Sequence, residues 1–176
     1  MLQEEIAKRI YEAAHITGRF TLRSGQVSSE YFDKYLFEAE PELLAAIAKA
    51  MAPLIPHDTE VIAGLEMGGI PVVTALSLES GIQAGFVRKK AKEYGTCKLA
   101  EGAGFDGKKV CVIEDVVTTG GQIIESVAAL RGRGAVIDTV LCVIQRGEEA
   151  AGILAGHGLA LKPLFTMEDI QRAVGR

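Results

Sequence analysis

Two adjacent acids stand near the end of an apolar run, directly before a turn rich in threonine and glycine. They are Glu114 and Asp115, within the segment VCVIEDVVTTGGQ that covers 110–122. The free N–H groups at the start of a helix attract anions, and glycine lets a phosphate approach the backbone. Carboxylates do not bind phosphate, so they are expected to serve hydroxyl groups, a metal ion or a developing positive charge. A ligand that carries both a phosphate group and neighbouring hydroxyl groups is a sugar phosphate, so the segment predicts a sugar-phosphate site.

A strand-to-helix turn with an acidic cap is the structural alternative for this segment. Ligands of open α/β sheets bind at the carboxyl ends of the strands, so the position of the acids favours a site. Two other nucleotide-binding patterns do not fit. The chain has no G-x-x-x-x-G-K-[ST], and the G-x-G-x-x-G at Gly102, Gly104 and Gly107 precedes a predicted strand instead of following one.

A basic segment, RKKAKEYGTCK, covers 88–98 and has five basic residues against one acid, on a chain whose net charge is −4. It overlaps the stretch 89–108, which shows no clear helical or strand periodicity. Such a stretch inside a tight domain is typical of an active-site lid. Its cations would offset the growing charge of a leaving diphosphate, and its closure would exclude water. A solvated charge run is the alternative.

Cysteine and histidine spacing indicates neither a disulfide framework nor a metal site. The cysteines are Cys97, Cys111 and Cys142, and the histidines are His15, His57 and His157. Two of the cysteines lie in apolar runs and are expected to be buried, inert thiols, which fits a reducing compartment such as the cytoplasm.

Length and composition predict one compact domain over 1–176, of which 48% is hydrophobic. The acidic balance argues against nucleic acid or an anionic membrane as a partner, because both require a basic face. No apolar run approaches the length that spans a membrane, and the N-terminus lacks the layout of a signal peptide.

Alternating strand-like and helical patterns predict an α/β fold whose central, mainly parallel sheet is flanked by helices. An N-terminal part, 1–37, is expected to hold a helix at 3–17 and a hairpin within 20–37. Strands are predicted at 61–64, 84–88, 109–115 and 136–145, and further helices at 41–51, 70–80, 121–134 and 148–156. A last strand and helix follow, and the lid is placed at 88–104.

The strand, paired acids and TTGG resemble the phosphoribosyl pyrophosphate (PRPP) signature of type I phosphoribosyltransferases. Three more segments, FTLRSGQVSSEYF, RKKAKEYG and VIQRGEE, narrow the resemblance to the orotate phosphoribosyltransferases over nearly the whole chain. The resemblance implies the type I fold with a small N-terminal hood. It also implies transfer of ribose 5-phosphate from PRPP to orotate in pyrimidine (UMP) biosynthesis, with Mg²⁺ carried by PRPP, near Asp115 and without a direct protein ligand. A homodimer is implied, with the lid of one subunit reaching the partner's site.

The same resemblance assigns residues to PRPP. The implied catalytic residues are Lys92, Glu114 and Asp115. The implied PRPP contacts are Arg88, Lys89, Lys92 and Tyr94 of the lid, and Glu114, Asp115, Val116, Val117, Thr118, Thr119, Gly120, Gly121 and Gln122 of the signature. A pyrophosphate loop is implied at Glu66, Met67, Gly68 and Gly69.

For orotate, the implied contacts are Arg23, Tyr31, Phe32, Thr118 and Arg146. Arginine matches a planar carboxylate through two parallel hydrogen bonds, so Arg146 would distinguish orotate from uracil. The aromatic pair has the alternative role of anchoring the hairpin to the core.

Three positions depart from what many relatives carry. Tyr94 stands in place of a histidine, Gly68 in place of a lysine, and Arg23 in place of a lysine. The first change removes proton transfer by an imidazole. The second leaves only backbone N–H groups as donors in the pyrophosphate loop, so more of the contacts to the diphosphate are expected from the lid.

Two other functions compete with orotate transfer. A phosphoribosyltransferase for a purine or another base would share the PRPP signature, but Arg146 and the aromatic pair speak against it. A PRPP-sensing regulator without turnover would need a DNA-binding appendage, and the first helix supplies no basic face for one.

Overall fold

The computed structural model describes residues 1–21, 25–89 and 99–176. Its N-terminal part consists of helix α1 (Gln3–Ala14), strands β1 (His15–Thr21) and β2 (Val27–Phe32), and helices α2 (Lys34–Glu38) and α3 (Pro41–Met51). The two strands pair antiparallel, with His15 opposite Phe32 and Thr21 opposite Val27. This pair, which we call the hood, forms a hairpin as predicted, but its first strand begins at His15, five residues before the predicted start.

Helix α1 ends three residues earlier than the sequence pattern predicts. Ile16 and Thr17 lie within the predicted helix, but they pair with Tyr31 and Glu30 of β2 instead. Both residues are β-branched, and cross-strand pairing suits such side chains better than a further helical turn does.

Six strands form the central sheet, in the order β5, β4, β3, β6, β7, β8. Their bounds are β3 (Val61–Leu65), β4 (Gln83–Val87), β5 (Ala100–Gly102), β6 (Lys109–Val117), β7 (Val136–Gln145) and β8 (Ala160–Thr166). All neighbours are parallel except β4 and β5. The predicted α/β fold with a mainly parallel sheet is therefore confirmed.

Helices cover both faces of this sheet, and their bounds are α4 (Gly69–Ser80), α5 (Gly121–Arg131), α6 (Ala150–Ala155) and α7 (Met167–Arg172). Successive side chains of a strand point to opposite faces. Accordingly, Cys111 and Ile113 of β6 pack in a core with α1, α3 and α4, whereas Val110 and Val112 pack in a second core with α5 and α6. Burial on both faces fixes the strand that leads into the paired acids.

Three short elements were not predicted from the sequence, and one of them is a one-turn 3-10 helix at Ala52–Leu54. Helix α2 is only five residues long and follows the hood directly. Strand β5 is three residues long and lies within the stretch predicted as a lid, where Phe86 pairs with Glu101. Residues 90–98 of that lid lie outside the described ranges.

Cys111 and Cys142 are buried free thiols, as predicted. Burial raises the pKa of Cys111 to about 12 and also raises the pKa of Cys142, so neither ionises readily. Cys97 lies outside the described residues. Within the three described ranges, no helix has both the length and the apolar character needed to cross a membrane.

Candidate active site

Strands β3, β4, β6 and β7 all end at one edge of the sheet, at Leu65, Val87, Val117 and Gln145. We call this the carboxyl edge. Parallel strands bring the segments that follow them together at such an edge. The predicted pyrophosphate loop, the start of the predicted lid, the PRPP signature and Arg146 therefore share one side of the molecule.

The turn after β6 presents its backbone to a cavity of about 180 Å³. Gly120 has a φ of 80°, a conformation that glycine adopts without strain, and it caps the start of α5. A β-carbon on Gly147 would lie 1.8 Å from the carbonyl oxygen of Thr118, so the segment after β7 packs directly on the turn. The cavity is lined by Glu114, Val116, Val117, Thr118, Thr119, Gly120, Gly121, Gln122 and Ile123.

Asp115 is completely buried and forms an ion pair with α2. Its Oδ2 lies 2.6 Å from Nζ of Lys34. Its Oδ1 accepts a hydrogen bond from the backbone N–H of Val116 at 2.6 Å, and its own N–H donates to Oε1 of Glu114 at 3.2 Å. The carboxylate is thus held by two contacts, one to each oxygen, and the backbone of the same residue is held by a third.

A further acid, Glu38 of α2, is also buried beside Asp115 and Lys34. Burial and the nearby Asp115 carboxylate raise the pKa of Glu38 to about 9. Burial and the same neighbour raise the pKa of Glu114 well above its usual value. The charged form is therefore disfavoured at both glutamates.

Asp115 shows the opposite shift. Burial alone would raise the pKa of Asp115, but hydrogen bonding with Glu114 and the Lys34 ammonium outweigh it and lower the pKa. For Lys34, burial lowers the pKa, and the Asp115 carboxylate more than reverses that effect. The negative charge of this cluster therefore resides on Asp115.

The predicted pyrophosphate loop lies against Asp115. A β-carbon on Gly68 would lie 1.6 Å from Oδ2 of Asp115, and one on Gly69 would lie 2.6 Å from the carbonyl oxygen of Ile113. The peptide bond between Glu66 and Met67 is cis. Only glycine fits at this approach of two strand ends.

Glu66 connects the loop to the start of the predicted lid. Its Oε1 accepts a hydrogen bond from the backbone N–H of Lys89 at 2.5 Å. Glu66 and Arg88 also line one cavity of about 250 Å³ together with Phe86 and Glu101. The structure thus groups Arg88 and Lys89 with the pyrophosphate loop.

A larger cavity, of about 440 Å³, joins the hood to the end of β7. Tyr31, Phe32 and Arg146 line it, and the backbone N–H of Arg146 donates to the carbonyl oxygen of Val117 at 2.8 Å. Phe32 also packs against the main core, whereas Tyr31 is exposed. The anchoring role weighed for the aromatic pair thus applies to Phe32. Thr118 lines the turn cavity and not this one.

Sequence reasoning missed Lys34 and Glu38. Their spacing of one helical turn is a weak signal, because the segment KYLFE looks like the end of a strand. Predicted contacts Arg23, Lys92 and Tyr94 lie outside the described residues. Among the residues described, no group of three or more histidine, cysteine, aspartate or glutamate side chains could hold a metal ion.

Comparisons with known sequences and structures agree on one protein family. Residues 37–155 match the model of the phosphoribosyl transferase domain. The orotate phosphoribosyltransferase of Nocardioides sp. is 48% identical over 172 residues, which are 98% of this chain and 96% of that protein.

Solved structures of Mycobacterium tuberculosis H37Rv orotate phosphoribosyltransferase are also similar. The complex with Fe(III) dicitrate has a TM-score of 0.86 and 32% identity, over 96% of this chain and 98% of that one. The complex of the same enzyme with PRPP has a TM-score of 0.82 and 29% identity, with the same coverage of both chains.

Proposed function

The chain belongs to the orotate phosphoribosyltransferase family, and we propose that its carboxyl edge joins N1 of orotate to C1 of PRPP. The products are orotidine 5'-monophosphate and pyrophosphate, in pyrimidine biosynthesis. One observation carries the proposal: a single sheet edge holds a buried Asp115 paired with Lys34, a glycine-capped turn at 118–121 that we call the phosphate turn, and a cavity lined by Arg146 and Tyr31.

The phosphate turn holds the 5'-phosphate of PRPP. The first N–H groups of α5 have no partner within the helix, and they lie at its positive dipole end. The exposed hydroxyl groups of Thr118 and Thr119 add donors beside the turn cavity. The approach of Gly147 to Thr118 keeps the turn rigid, so little ordering is needed when the phosphate binds.

Asp115 and Glu114 act on the ribose. As the bond from C1 to pyrophosphate loosens, positive charge develops on the ribose ring, and a fixed carboxylate lowers the energy of that state. The charge of Asp115 and the hydrogen-bonding capacity of Glu114 give the pair different roles. Asp115 offsets charge, and Glu114 holds a ribose hydroxyl.

Pyrophosphate departs on the side of the loop 66–69. The backbone N–H groups of Gly68 and Gly69, with Arg88 and Lys89, meet the developing negative charge. Lys92 and Tyr94 complete this cation-rich side when the lid closes, as the resemblance implies. Closure also excludes water, which would otherwise hydrolyse the ribose cation.

Orotate lies in the 440 Å³ cavity. Arg146 binds its carboxylate, and Tyr31 contacts the flat face of the pyrimidine ring. Orotate is already an anion and needs little activation as a nucleophile. The protein's contribution is therefore mainly to position N1 opposite C1.

Mg²⁺ bound to PRPP would offset the charge of the leaving group. Its preferred ligands are phosphate oxygens and water. The acids of the site are poor resident ligands, since Asp115 is already paired with Lys34 and the charged form of Glu114 is disfavoured. The chain's own residues hold PRPP, and PRPP holds the ion.

The assay that tests this function follows the loss of orotate absorbance with PRPP and Mg²⁺. Orotidine 5'-monophosphate and pyrophosphate should appear in equal amounts. Uracil and purine bases, assayed side by side, should react far more slowly. Turnover of a purine in preference to orotate would contradict the proposal. The buried free thiols support the cytoplasm as the place of this reaction.

A homodimer with shared sites accompanies this function. The lid starts beside the pyrophosphate loop, and a long lid that crosses a two-fold axis can reach the partner's phosphate turn. Lys92→Ala and Asp115→Ala proteins should each be nearly inactive. Unfolding, mixing equally and refolding them should restore about a quarter of wild-type activity, because one site in each mixed dimer has neither change.

Each variant refolded alone is the control for this exchange. If mixed dimers are present and no activity appears above that of the two parents, each lid serves its own subunit.

A further inference from the structure

Helix α2 connects the two halves of the site. It follows β2 directly, and Asp33 caps it by accepting a hydrogen bond from the backbone N–H of Tyr35 at 3.1 Å. Phe32 lines the orotate cavity, and two residues later Lys34 reaches Asp115. The hood and the ribose-binding acids are thus linked through a few consecutive residues.

Residue 68 of the pyrophosphate loop cannot supply the cation that pairs with Asp115, and Lys34 supplies it instead. Gly68 lies so close to Oδ2 of Asp115 that a side chain at 68 has no room. Within the ranges the structure describes, Lys34 is the one cation at ion-pair distance from Asp115. The charge opposite this carboxylate therefore comes from the hood side.

The surroundings of Asp115 make that cation necessary. Two further carboxyl groups, Glu38 and Glu114, adjoin it, and all three compete for protons and hydrogen bonds. A buried carboxylate without a paired cation takes up a proton or turns toward a neighbouring acid. The ion pair prevents both.

Resting on the function proposed above, we propose that Lys34 is a positioning residue: its ammonium holds the buried Asp115 carboxylate charged and in place beside the phosphate turn. It acts through Asp115 and not on the substrate. Its removal therefore affects the chemical step more than the binding of orotate.

Three variants test the proposal. Lys34→Met removes the charge but keeps much of the side-chain volume, and Lys34→Arg keeps the charge. Lys109→Met is the matched control, because Lys109 is also a partly buried lysine paired with an aspartate, at the other end of β6. All are compared by kcat, by KM for each substrate and by thermal unfolding.

In Lys34→Met, kcat should fall on the order of 100-fold, and KM for orotate should change less than about threefold. Lys34→Arg should recover most of kcat, and Lys109→Met should keep the wild-type value. If Lys34→Met does not fold, Lys34→Gln serves in its place with the same expectations. A normal kcat in the folded neutral variant, beside an active wild type, overturns the proposal.

A double-mutant cycle separates positioning from direct catalysis. Once Asp115→Asn has removed the carboxylate, adding Lys34→Met should lower kcat by less than about twofold, because both residues act through one group. Full additivity of the two losses would show that Lys34 acts independently and would overturn the proposal. Failure of the wild type itself to use orotate and PRPP would instead contradict the proposed function.

Discussion

Both ends of strand β6 pair a lysine with an aspartate, but in different surroundings. At the amino end, Lys109 pairs with Asp138, whose side chain is 55% exposed. At the carboxyl end, Lys34 pairs with Asp115, whose side chain is 0% exposed. Exposed pairs are weakened by water and salt and contribute little to stability. A buried pair loses hydration and gains little net stability over an apolar replacement.

The difference separates structural from functional use of charge. The amino end carries further surface pairs, such as that between Lys108 and Glu60 at 2.8 Å, and these residues line none of the cavities described above. The carboxyl end retains a costly buried charge beside two glutamates and a phosphate turn. Stability does not require that arrangement, so we attribute it to catalysis.

Of the next four substitutions, the largest effect is expected at Gly68. Gly68→Ala places a β-carbon 1.6 Å from Oδ2 of Asp115, and that carboxylate is held by Lys34 at Oδ2 and by the N–H of Val116 at Oδ1. The carboxylate must move, and kcat should fall on the order of 100-fold. Gly152→Ala in α6, where a β-carbon meets no atom within 4 Å, is the control and should keep full activity. Normal turnover of Gly68→Ala would show that the close approach has no role.

A smaller and more selective effect is expected at Arg146. Arg146→Ala removes a charged partner of the orotate carboxylate, so KM for orotate should rise about 10- to 100-fold. The affinity for PRPP should stay nearly unchanged, because the two substrates occupy different cavities. Separate titrations with orotate and PRPP measure this. Arg172→Ala is the control, because the Arg172 side chain on α7 is 69% exposed and does not line that cavity. Equal weakening for both substrates would remove Arg146 from the orotate site.

Arg131 should show the reverse pattern. At the end of α5, its guanidinium donates to the carbonyl oxygens of Ile137, His157 and Gly158. Arg131→Met should cost about 1–3 kcal/mol of unfolding free energy, and each kcal/mol lowers Tm by about 2–4 °C in a chain of this size. The kcat of the folded variant should be unchanged. A lower kcat in a variant with wild-type stability would contradict the distinction between structural charges and the functional charges at the carboxyl end of β6.

The smallest effect is expected at Asp138. Hydrogen bonding with Lys109 is the main cause that lowers the pKa of Asp138. A lowered pKa contributes stability above the unfolded value, near about pH 4, and that stability is lost as the pH falls further. The Tm difference between wild type and Asp138→Asn should therefore shrink below about pH 4 and in about 1 M salt. A difference that grows on acidification would contradict this sign.

Much of the fold could be predicted because its strands are long apolar runs. Strand β7 was predicted at its observed bounds, Val136–Gln145, and α3 at Pro41–Met51. Helix α2 was missed because five residues give no periodicity, and its two charged residues are partly or fully buried by contacts that only the fold creates. Strand β5 was missed because three residues at a sheet edge leave no pattern.

The candidate site also has residues that the sequence predicts and residues that it does not. The acids and the glycine turn lie within one continuous segment, so local chemistry identifies them. Lys34 approaches Asp115 only because packing of α2 against α1 and α3 brings it to the end of β6, and no spacing in the sequence records that contact. The roles assigned to Arg23, Lys92 and Tyr94 stay predictions.

A paired measurement of Asp115→Asn and Asp138→Asn tests the central claim most directly. Each variant makes the same chemical change at one end of the β6 region, and each is assayed for kcat with orotate, PRPP and Mg²⁺ and for Tm. We expect Asp115→Asn to lose on the order of 100-fold in kcat while the variant stays folded at the assay temperature, and Asp138→Asn to keep its kcat. Wild-type turnover in folded Asp115→Asn, or a comparable loss in both variants, would contradict the account.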